Sequence, residues 1–293
     1  MILVVGATGL LGGEICRRLC ERGQSVRALA RETSDPAKVQ RLENHGAEIV
    51  QGDLKNRASL DAACRGASTV ISTASTTLSR QPDDSISGVD QDGQLQLVDA
   101  ARGAGVGQFI YVSFSGNFEV ECPLRTAKRS VERHLQQSGL TYTILRPSVF
   151  MEVWLSPALG FDFTKGAAQV FGTGRRPISW ISLGDVAEFA VRCVGHPAGR
   201  NAVIELGGPE ALSPEDVVQT FEEVTGRHFD TQHVPETALE EKWRAAADPL
   251  QKTFAALMVG VAQGDPIDMR RTLEIFPLRL GTVREYAKRV TTG

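Results

Sequence analysis

Short apolar runs alternate with longer amphipathic stretches through the first two hundred residues. ILVVG (2–6), SVRALAR (25–31), AEIVQGD (47–53), TVISTAS (69–75), QFIYVSF (108–114) and TYTILRP (141–147) read as strands. Several are continuously apolar, the pattern of strands covered on both faces. Helices are predicted between them over 10–22, 37–44, 57–64, 88–104 and 126–138. Gly23, Gly105 and Gly139 follow three of these helices, where a left-handed stop residue is favoured. Strands alternating with helices of this length predict an α/β fold: a Rossmann-type parallel sheet with helices on both faces and right-handed crossovers.

After Pro147 the rhythm changes. Phe150, Met151, Trp154, Leu155 and Phe161 form an aromatic-rich stretch punctuated by prolines and glycines. FGTGRRPISWISLGDVAEFAVRCV then reads as a turn, a strand and a helix, with Asp185 in the helix's first turn, where an acid is favourable. AVIELGG (202–208) is another strand candidate, and Ser213 with Pro214 marks a helix start. The stretch 236–290 reads as helical, interrupted at Pro249, Gly264, Pro266 and Pro277. The expected organisation is a core over 1–150, to which about 175–210 returns. A smaller, mostly helical C-terminal domain follows over 151–293.

Composition narrows the class. The chain has 293 residues, 42% hydrophobic and 23% charged, enough to bury a substantial core. Thirty-two Lys and Arg against 35 acids leave a formal charge of -3, which gives no reason to expect a nucleic-acid partner. No run of 18 apolar residues predicts a membrane span. The chain enters a strand directly, without the pattern of a secretory leader, so a cytoplasmic location is expected. The five cysteines, Cys16, Cys20, Cys64, Cys122 and Cys193, form no CxxC pair and predict reduced thiols. No His, Asp or Glu cluster accompanies them, so no metal is expected. A monomer or homodimer is expected.

In open parallel sheets ligands bind at the carboxyl ends of the strands, so the residues just after each strand carry the chemistry. The first strand breaks into GATGLLG. Gly6, Gly9 and Gly12 stand in a strand-turn-helix context, where glycine permits unusual backbone angles and close approach. The helix that follows directs free N–H groups at an anion such as a pyrophosphate. Thr8, Leu10 and Leu11 belong to the same loop. The second strand ends in Arg31, a bidentate donor suited to phosphate rather than an acid suited to a ribose diol. That predicts NADP(H) over NAD(H). The other reading of Arg31 is a solvated strand end pairing with Glu32 or Asp35.

After the third strand, Asp53 suits an adenine amino group and Leu54 the ring, or Asp53 caps the helix near Asn56. Thr73, Ala74 and Ser75 end the fourth strand and are small enough for a cofactor backbone to pass. The polar stretch TTLSRQPDDSISGVD that follows reads as a rim of the site or a simple surface loop. The fifth strand ends in Ser113, Phe114 and Ser115. Lys128 lies early in a helix with apolar positions Ala127, Val131 and Leu135. It is placed either to bond nicotinamide-ribose hydroxyls or to pair on the surface with Glu132 four residues on. Phe114, Phe118, Phe150, Met151 and Trp154 suit a flat apolar ligand or a shared core.

GATGLLG, Arg31, YVSFSG, Lys128 and SGLTYTILRPSVFMEVW together resemble the NmrA-like, isoflavone reductase-like group of atypical short-chain dehydrogenases/reductases, over about residues 1–210. The resemblance implies Gly6, Gly9 and Gly12 beneath a pyrophosphate, Arg31 at a 2′-phosphate, Asp53 beside adenine and Lys128 as the nicotinamide-ribose lysine. It also implies that Lys128 helps proton transfer in a NADPH-dependent reductase of a small apolar or aromatic molecule such as a quinone or enone; by the residues themselves, the catalytic candidates for that proton are Lys128 and Ser113, beside a water or the substrate itself. The family also holds regulators that bind cofactor without turnover, so the other expectation is a non-catalytic sensor or assembly factor with a protein partner. One departure bears on the choice. Ordinary short-chain dehydrogenases place a proton-donating tyrosine four residues before the lysine, and here that residue is Leu124.

Overall fold

The computed structural model describes residues 1–78 and 81–292. Seven strands form one sheet: β1 (Ile2–Val5), β2 (Val26–Ala30), β3 (Glu48–Gln51), β4 (Thr69–Ser72), β5 (Gln108–Val112), β6 (Thr141–Pro147) and β9 (Ala202–Leu206), in the order β3-β2-β1-β4-β5-β6-β9. The pairings from β3 through β6 are all parallel. The order reverses between β1 and β4, the switch point of a Rossmann sheet. Helices α1 (Leu10–Glu21), α2 (Pro36–Asn44), α3 (Arg57–Cys64), α4 (Gln94–Gly103) and α5 (Pro123–Gln137) make the crossovers. The expected fold class is the one observed.

These elements form for reasons visible in the chain. β1 (ILVV), β4 (TVIS) and β5 (QFIYV) are buried at every position, as parallel strands covered on both faces must be. Their side chains meet Leu60, Leu97, Val98, Val131 and Leu135 from the helices in one apolar core. α2 is capped by Asp35 with Pro36 at its first position, and α3 is capped by Asn56. The predicted helix over 88–104 opens as a π-helix, Ile86–Gly93, before α4 takes up regular geometry. Such wide turns gather at functional sites.

The chain divides into two compact units. The first comprises Met1–Ser113, Pro123–Leu145 and Val186–Ile204; the second comprises Phe114–Cys122, Arg146–Asp185 and Glu205–Gly293. The second unit carries short helices α6 (Met151–Trp154) and α11 (Arg270–Ile275), with α8 (Pro214–Thr225), α9 (Glu236–Ala245), α10 (Pro249–Gln263) and α12 (Val283–Thr291). It also holds a three-stranded sheet of β7 (Phe161–Asp162), β8 (Ala167–Phe171) and β10 (Asp230–Val234), in the order β10-β8-β7. The strand expected between the 171–174 turn and the next helix is present only as isolated bridges, from Ile178 to Leu212 and Asp265 and from Phe150 to Ile181. Pro177, which has no N–H to donate to a ladder, precedes the first of them.

All five cysteines are free thiols; Cys16, Cys64, Cys122 and Cys193 are buried and Cys20 is half-buried. No helix among the described residues is long and apolar enough to cross a membrane.

Helix α7 (Leu183–Cys193) places Glu188 beneath three arginines of the first unit. Its carboxylate, 6% exposed, accepts from Arg18 at 2.8 Å and from Arg22 and Arg192 at 2.6 Å each. Burial alone raises its pKa, but the hydrogen bonds from Arg192, Arg22 and Arg18 outweigh that and hold it at about 2, against 4.5 ordinarily. With the folded value depressed, the unfolded chain takes up the proton first as pH falls. The contribution is therefore whole above pH 4.5 and is lost as pH falls through about 2. Arg22 is 42% exposed, so solvent screening limits the contribution to about 1–2 kcal/mol. Urea midpoints of Glu188→Gln are expected to fall less steeply than wild type between those two pH values. Parallel acid limbs would show that the carboxylate is not held this way.

Candidate functional site

The turn after β1 is built on close backbone approach. Gly6 has φ +86, and a Cβ there would lie 2.7 Å from Thr73 Oγ1 and 2.8 Å from the Ala74 nitrogen, just past the end of β4 across the switch point. A Cβ on Gly12 would lie 2.2 Å from the Gly6 carbonyl oxygen. Gly9, by contrast, would meet only that same oxygen, at 3.1 Å. It is the N-cap of α1, with no side chain capping the helix and no acid in the first turn. α2, α3, α8, α10 and α12 all carry a side-chain cap. The first N–H groups of α1 have no acceptor within the helix, and its dipole adds positive potential there. Leu10 is 65% exposed, while Leu11 turns into the core. The Leu11 side chain is thus turned away from the open side of the turn.

Two cations stand at the exits of β2 and β3. Arg31 donates to Asp84 Oδ2 at 2.6 Å, and Lys55 donates to Asp84 Oδ1 at 2.8 Å and to Asp83 Oδ2 at 2.6 Å. The Asp84 side chain is 1% exposed, whereas Arg31 and Lys55 are about a quarter exposed. Burial raises the Asp84 pKa, but hydrogen bonds from the Gln81 backbone, Lys55 and Arg31 more than reverse this. The Lys55 ammonium is stabilised by Asp83 and then Asp84. Arg31 thus pairs neither with Glu32 nor with Asp35. Lys55 and Asp84 were not singled out in the sequence. Asp84 belongs to the polar stretch after β4, of which Ser79 and Arg80 lie outside the described residues.

Asp53 does not cap α3, because Asn56 does so by accepting from the Ser59 nitrogen. Asp53 Oδ1 instead accepts from the Lys55 nitrogen at 2.8 Å and shapes the β3 exit. Leu54 is buried in the core, so its side chain does not stand open to a ring. Thr73, Ala74 and Ser75 are half-buried along the β4 exit. Thr73 donates its N–H to the Val5 carbonyl, and Ala74 accepts from Gln94. Thr8 is half-buried beside Gly9.

Lys128 is not a surface lysine. It lies on the inward stripe of α5 with Leu124, Ala127, Val131, Glu132 and Leu135, and is 5% exposed. Its Nζ donates to the Val112 carbonyl at the end of β5, at 3.2 Å, and sits 5.1 Å from the centre of the Tyr111 ring. Glu132 pairs with Arg129. Burial pushes the Lys128 pKa down; the charges of Asp90 and Glu132 oppose that, and Arg129 adds to it. Ser113, also buried, accepts from Arg129 at 3.3 Å. Leu124, one turn before Lys128, is 4% exposed and packs as a core residue.

The aromatic candidates lie in the second unit. Phe114 and Phe118 are edge-to-face at 5.2 Å, and Phe118 presses on Gly260 of α10, where a Cβ would fall 2.2 Å from its ring. Trp154 is edge-on to Phe171 at 6.2 Å, and Phe150 bridges to Ile181 through its backbone. Met151 is fully buried, whereas Phe114, Phe118, Phe150 and Trp154 each keep part of their surface open.

Residues 1–287 match the NmrA-like family. The chain is 30% identical to the isoflavone reductase homolog IRL of Zea mays, over 98% of this chain and 97% of that protein. It is 29% identical to the photosystem II assembly factor Ycf39 of Trieres chinensis, over 80% of this chain and 72% of that protein. Among solved structures, the NADPH-dependent quinone oxidoreductase QOR2 of Escherichia coli, complexed with NADPH, superposes with a TM-score of 0.80 at 23% identity. That match covers 99% of this chain and 100% of that one, and it is a likeness of fold.

Proposed function

We propose that this chain, which belongs to the NmrA-like family, is a NADPH-dependent oxidoreductase that passes hydride to a quinone, enone or similar apolar carbonyl compound. The observation that carries the reading is the anion-ready corner of the first unit. An uncapped helix N-terminus follows β1 at the switch point, and two cations follow β2 and β3 of the same sheet. A dinucleotide with an extra phosphate fits that donor set: the open side of Gly9 admits a pyrophosphate to the α1 N–H groups, and Arg31 with Lys55 receives a 2′-phosphate. Thr8, Leu10 and the backbone of Leu11 complete the loop. Asp53 faces adenine with its remaining oxygen, and Thr73, Ala74 and Ser75 leave room along the β4 exit.

When bound, NADPH supplies the hydride. Lys128 holds its ammonium at the β5 exit, where it orients ribose hydroxyls and can supply a proton. Ser113 is held by Arg129, so its hydroxyl proton is free to point at a ligand oxygen. Phe114, Phe118, Phe150 and Trp154 suit a flat apolar substrate. Turnover is tested by following NADPH absorbance against a panel of quinones and carbonyl compounds. No turnover across the panel, despite tight NADPH binding, would end the reductase reading.

Arg31→Ala is expected to weaken NADPH binding about 10- to 100-fold, as the loss of a charge-assisted hydrogen bond predicts, with NADH affinity within about twofold. Titration calorimetry with both cofactors decides it. An equal loss for the two would remove Arg31 from the 2′-phosphate.

A second reading is a non-catalytic NADP(H) sensor or assembly factor with a protein partner. It is favoured by Leu124, a core residue where ordinary short-chain dehydrogenases carry the proton donor, and by the likeness to Ycf39, a photosystem II assembly factor. A partner captured only in the presence of one redox form of the cofactor would support it.

A further inference from the structure

The first unit buries a polar group that the reading above does not use. Asp90, on the π-helix between β4 and α4, is 0% exposed. Its Oδ2 accepts from the Thr76 nitrogen at 3.1 Å and from Thr76 Oγ1 at 2.6 Å, which fixes the β4 exit. Its Oδ1 has no partner. One turn on, Gln94 is just as buried, but both ends of its amide have a partner: the oxygen accepts from Ser72 and the nitrogen donates to the Ala74 carbonyl. The Tyr111 hydroxyl, on β5, is also buried without a partner. A buried acceptor left bare costs about 1–3 kcal/mol, so two of them in one unit require a reason.

The π-helix packs against α5, the helix that carries Lys128. Lys128 Nζ, above the Tyr111 ring, donates to Val112 alone and so keeps two protons to give. The charged and titratable groups acting on it are Asp90 from the π-helix, Tyr111 from β5, and Glu132 and Arg129 from its own helix. Glu132 and Arg129 form an ion pair with each other. Asp90 is then the acid whose second oxygen is uncommitted. Its charge also raises the Tyr111 pKa, after burial.

We propose that Asp90 is a positioning residue for Lys128: its free oxygen is the buried counter-charge that keeps the lysine an ammonium, through one internal water shared by Asp90 Oδ1, Tyr111 Oη and Lys128 Nζ. Three polar partners are what such a water needs. The wide π turn is what brings Asp90 inward beside Gln94. The inference rests on Lys128 acting in the cofactor site, but its test does not depend on turnover.

The test is an NMR titration of Lys128 in protein labelled at the lysine side chains, with Lys128→Arg for assignment. Asp90→Asn keeps the acceptor for Thr76 and removes the charge. It is expected to lower the Lys128 pKa by about one unit or more, and to move the alkaline limb of the pH–kcat profile down by the same amount. An unmoved lysine would overturn the proposal. Tyr111→Phe gives a second reading, usable if Asp90→Asn does not fold. It is expected to lower the Tm, because the shared water loses a partner. A higher Tm would mean that the hydroxyl was bare and would equally overturn the proposal. Should Lys128→Met prove fully active, the cofactor-site reading fails while the titration still decides the role of Asp90.

Discussion

Gly12→Ala is expected to abolish NADPH binding and to destabilise the first unit by about 3 kcal/mol, the upper range for overpacking a tight site. The added Cβ would stand 2.2 Å from the Gly6 oxygen, 2.7 Å from the Gly6 carbonyl carbon and 2.9 Å from Thr73 Oγ1. Two of these are backbone atoms that no rotamer change can move aside. Gly6 itself cannot retreat, because its own φ of +86 and its approach to Ala74 already fix it against β4, and its oxygen accepts from the Gly9 nitrogen. Relief requires α1 to lift from β1, which takes the helix N-terminus out of register with the turn. Gly13→Ala is the control. Its Cβ would meet only the Ala7 oxygen, at 3.3 Å, and the better helix propensity of alanine offsets the contact. Denaturant titrations with and without NADPH measure both effects. A Gly12→Ala protein with wild-type stability and affinity would show that the close packing of the turn is not required.

Lys128→Met separates function from stability. Methionine fills the same volume without charge, so the buried ammonium and its desolvation cost are removed. The Lys128 pKa lies below its ordinary 10.5 because burial disfavours the charged form. The lysine therefore weakens the fold wherever it is charged, and that penalty fades as pH rises through the depressed value towards 10.5. At neutral pH that relief is opposed by the loss of the counter-charge for Asp90 and of a donor to Val112, so the variant is expected to stay folded, within about 2 kcal/mol of wild type. Turnover of NADPH is expected to fall about 10²- to 10⁴-fold, the range for losing a positioned proton donor. A buried charge kept at a cost to stability marks a functional position. Undiminished turnover would return Lys128 to a packing role.

The sheet is legible because its central strands β1, β4 and β5 are buried on both faces, and the helices because their apolar stripes repeat every three to four residues. The bounds of α3 and β6 fall where the sequence placed them. The burial of Lys128 was also legible, since Leu124, Ala127, Val131 and Leu135 put position 128 on the inner stripe. Its charge is what kept the surface alternative open. Asp90 and Gln94 carry the same signal, two polar residues on the stripe of Ile86, Leu97 and Ala101. Other features had no local signature. Arg31 and Asp84 lie 53 residues apart, and only the fold brings them together. DTQHV of β10 has no apolar alternation, is mostly exposed and pairs in parallel with β8, far away in sequence. Asp53 and Asn56 are equally good caps by residue type, and only the backbone at Asn56 decides between them.

The free cysteines have a practical consequence. Burial raises the pKa of Cys64 to about 11 and of Cys193 to about 12, and pushes Cys16 higher still. Only the thiolate reacts, so these thiols are silent towards alkylating reagents while the fold stays closed. Cys16, Cys20, Cys64 and Cys193 belong to the first unit and Cys122 to the second. Alkylation followed by peptide mass therefore clocks the opening of each unit separately, with the half-buried Cys20 as the early marker and no introduced label.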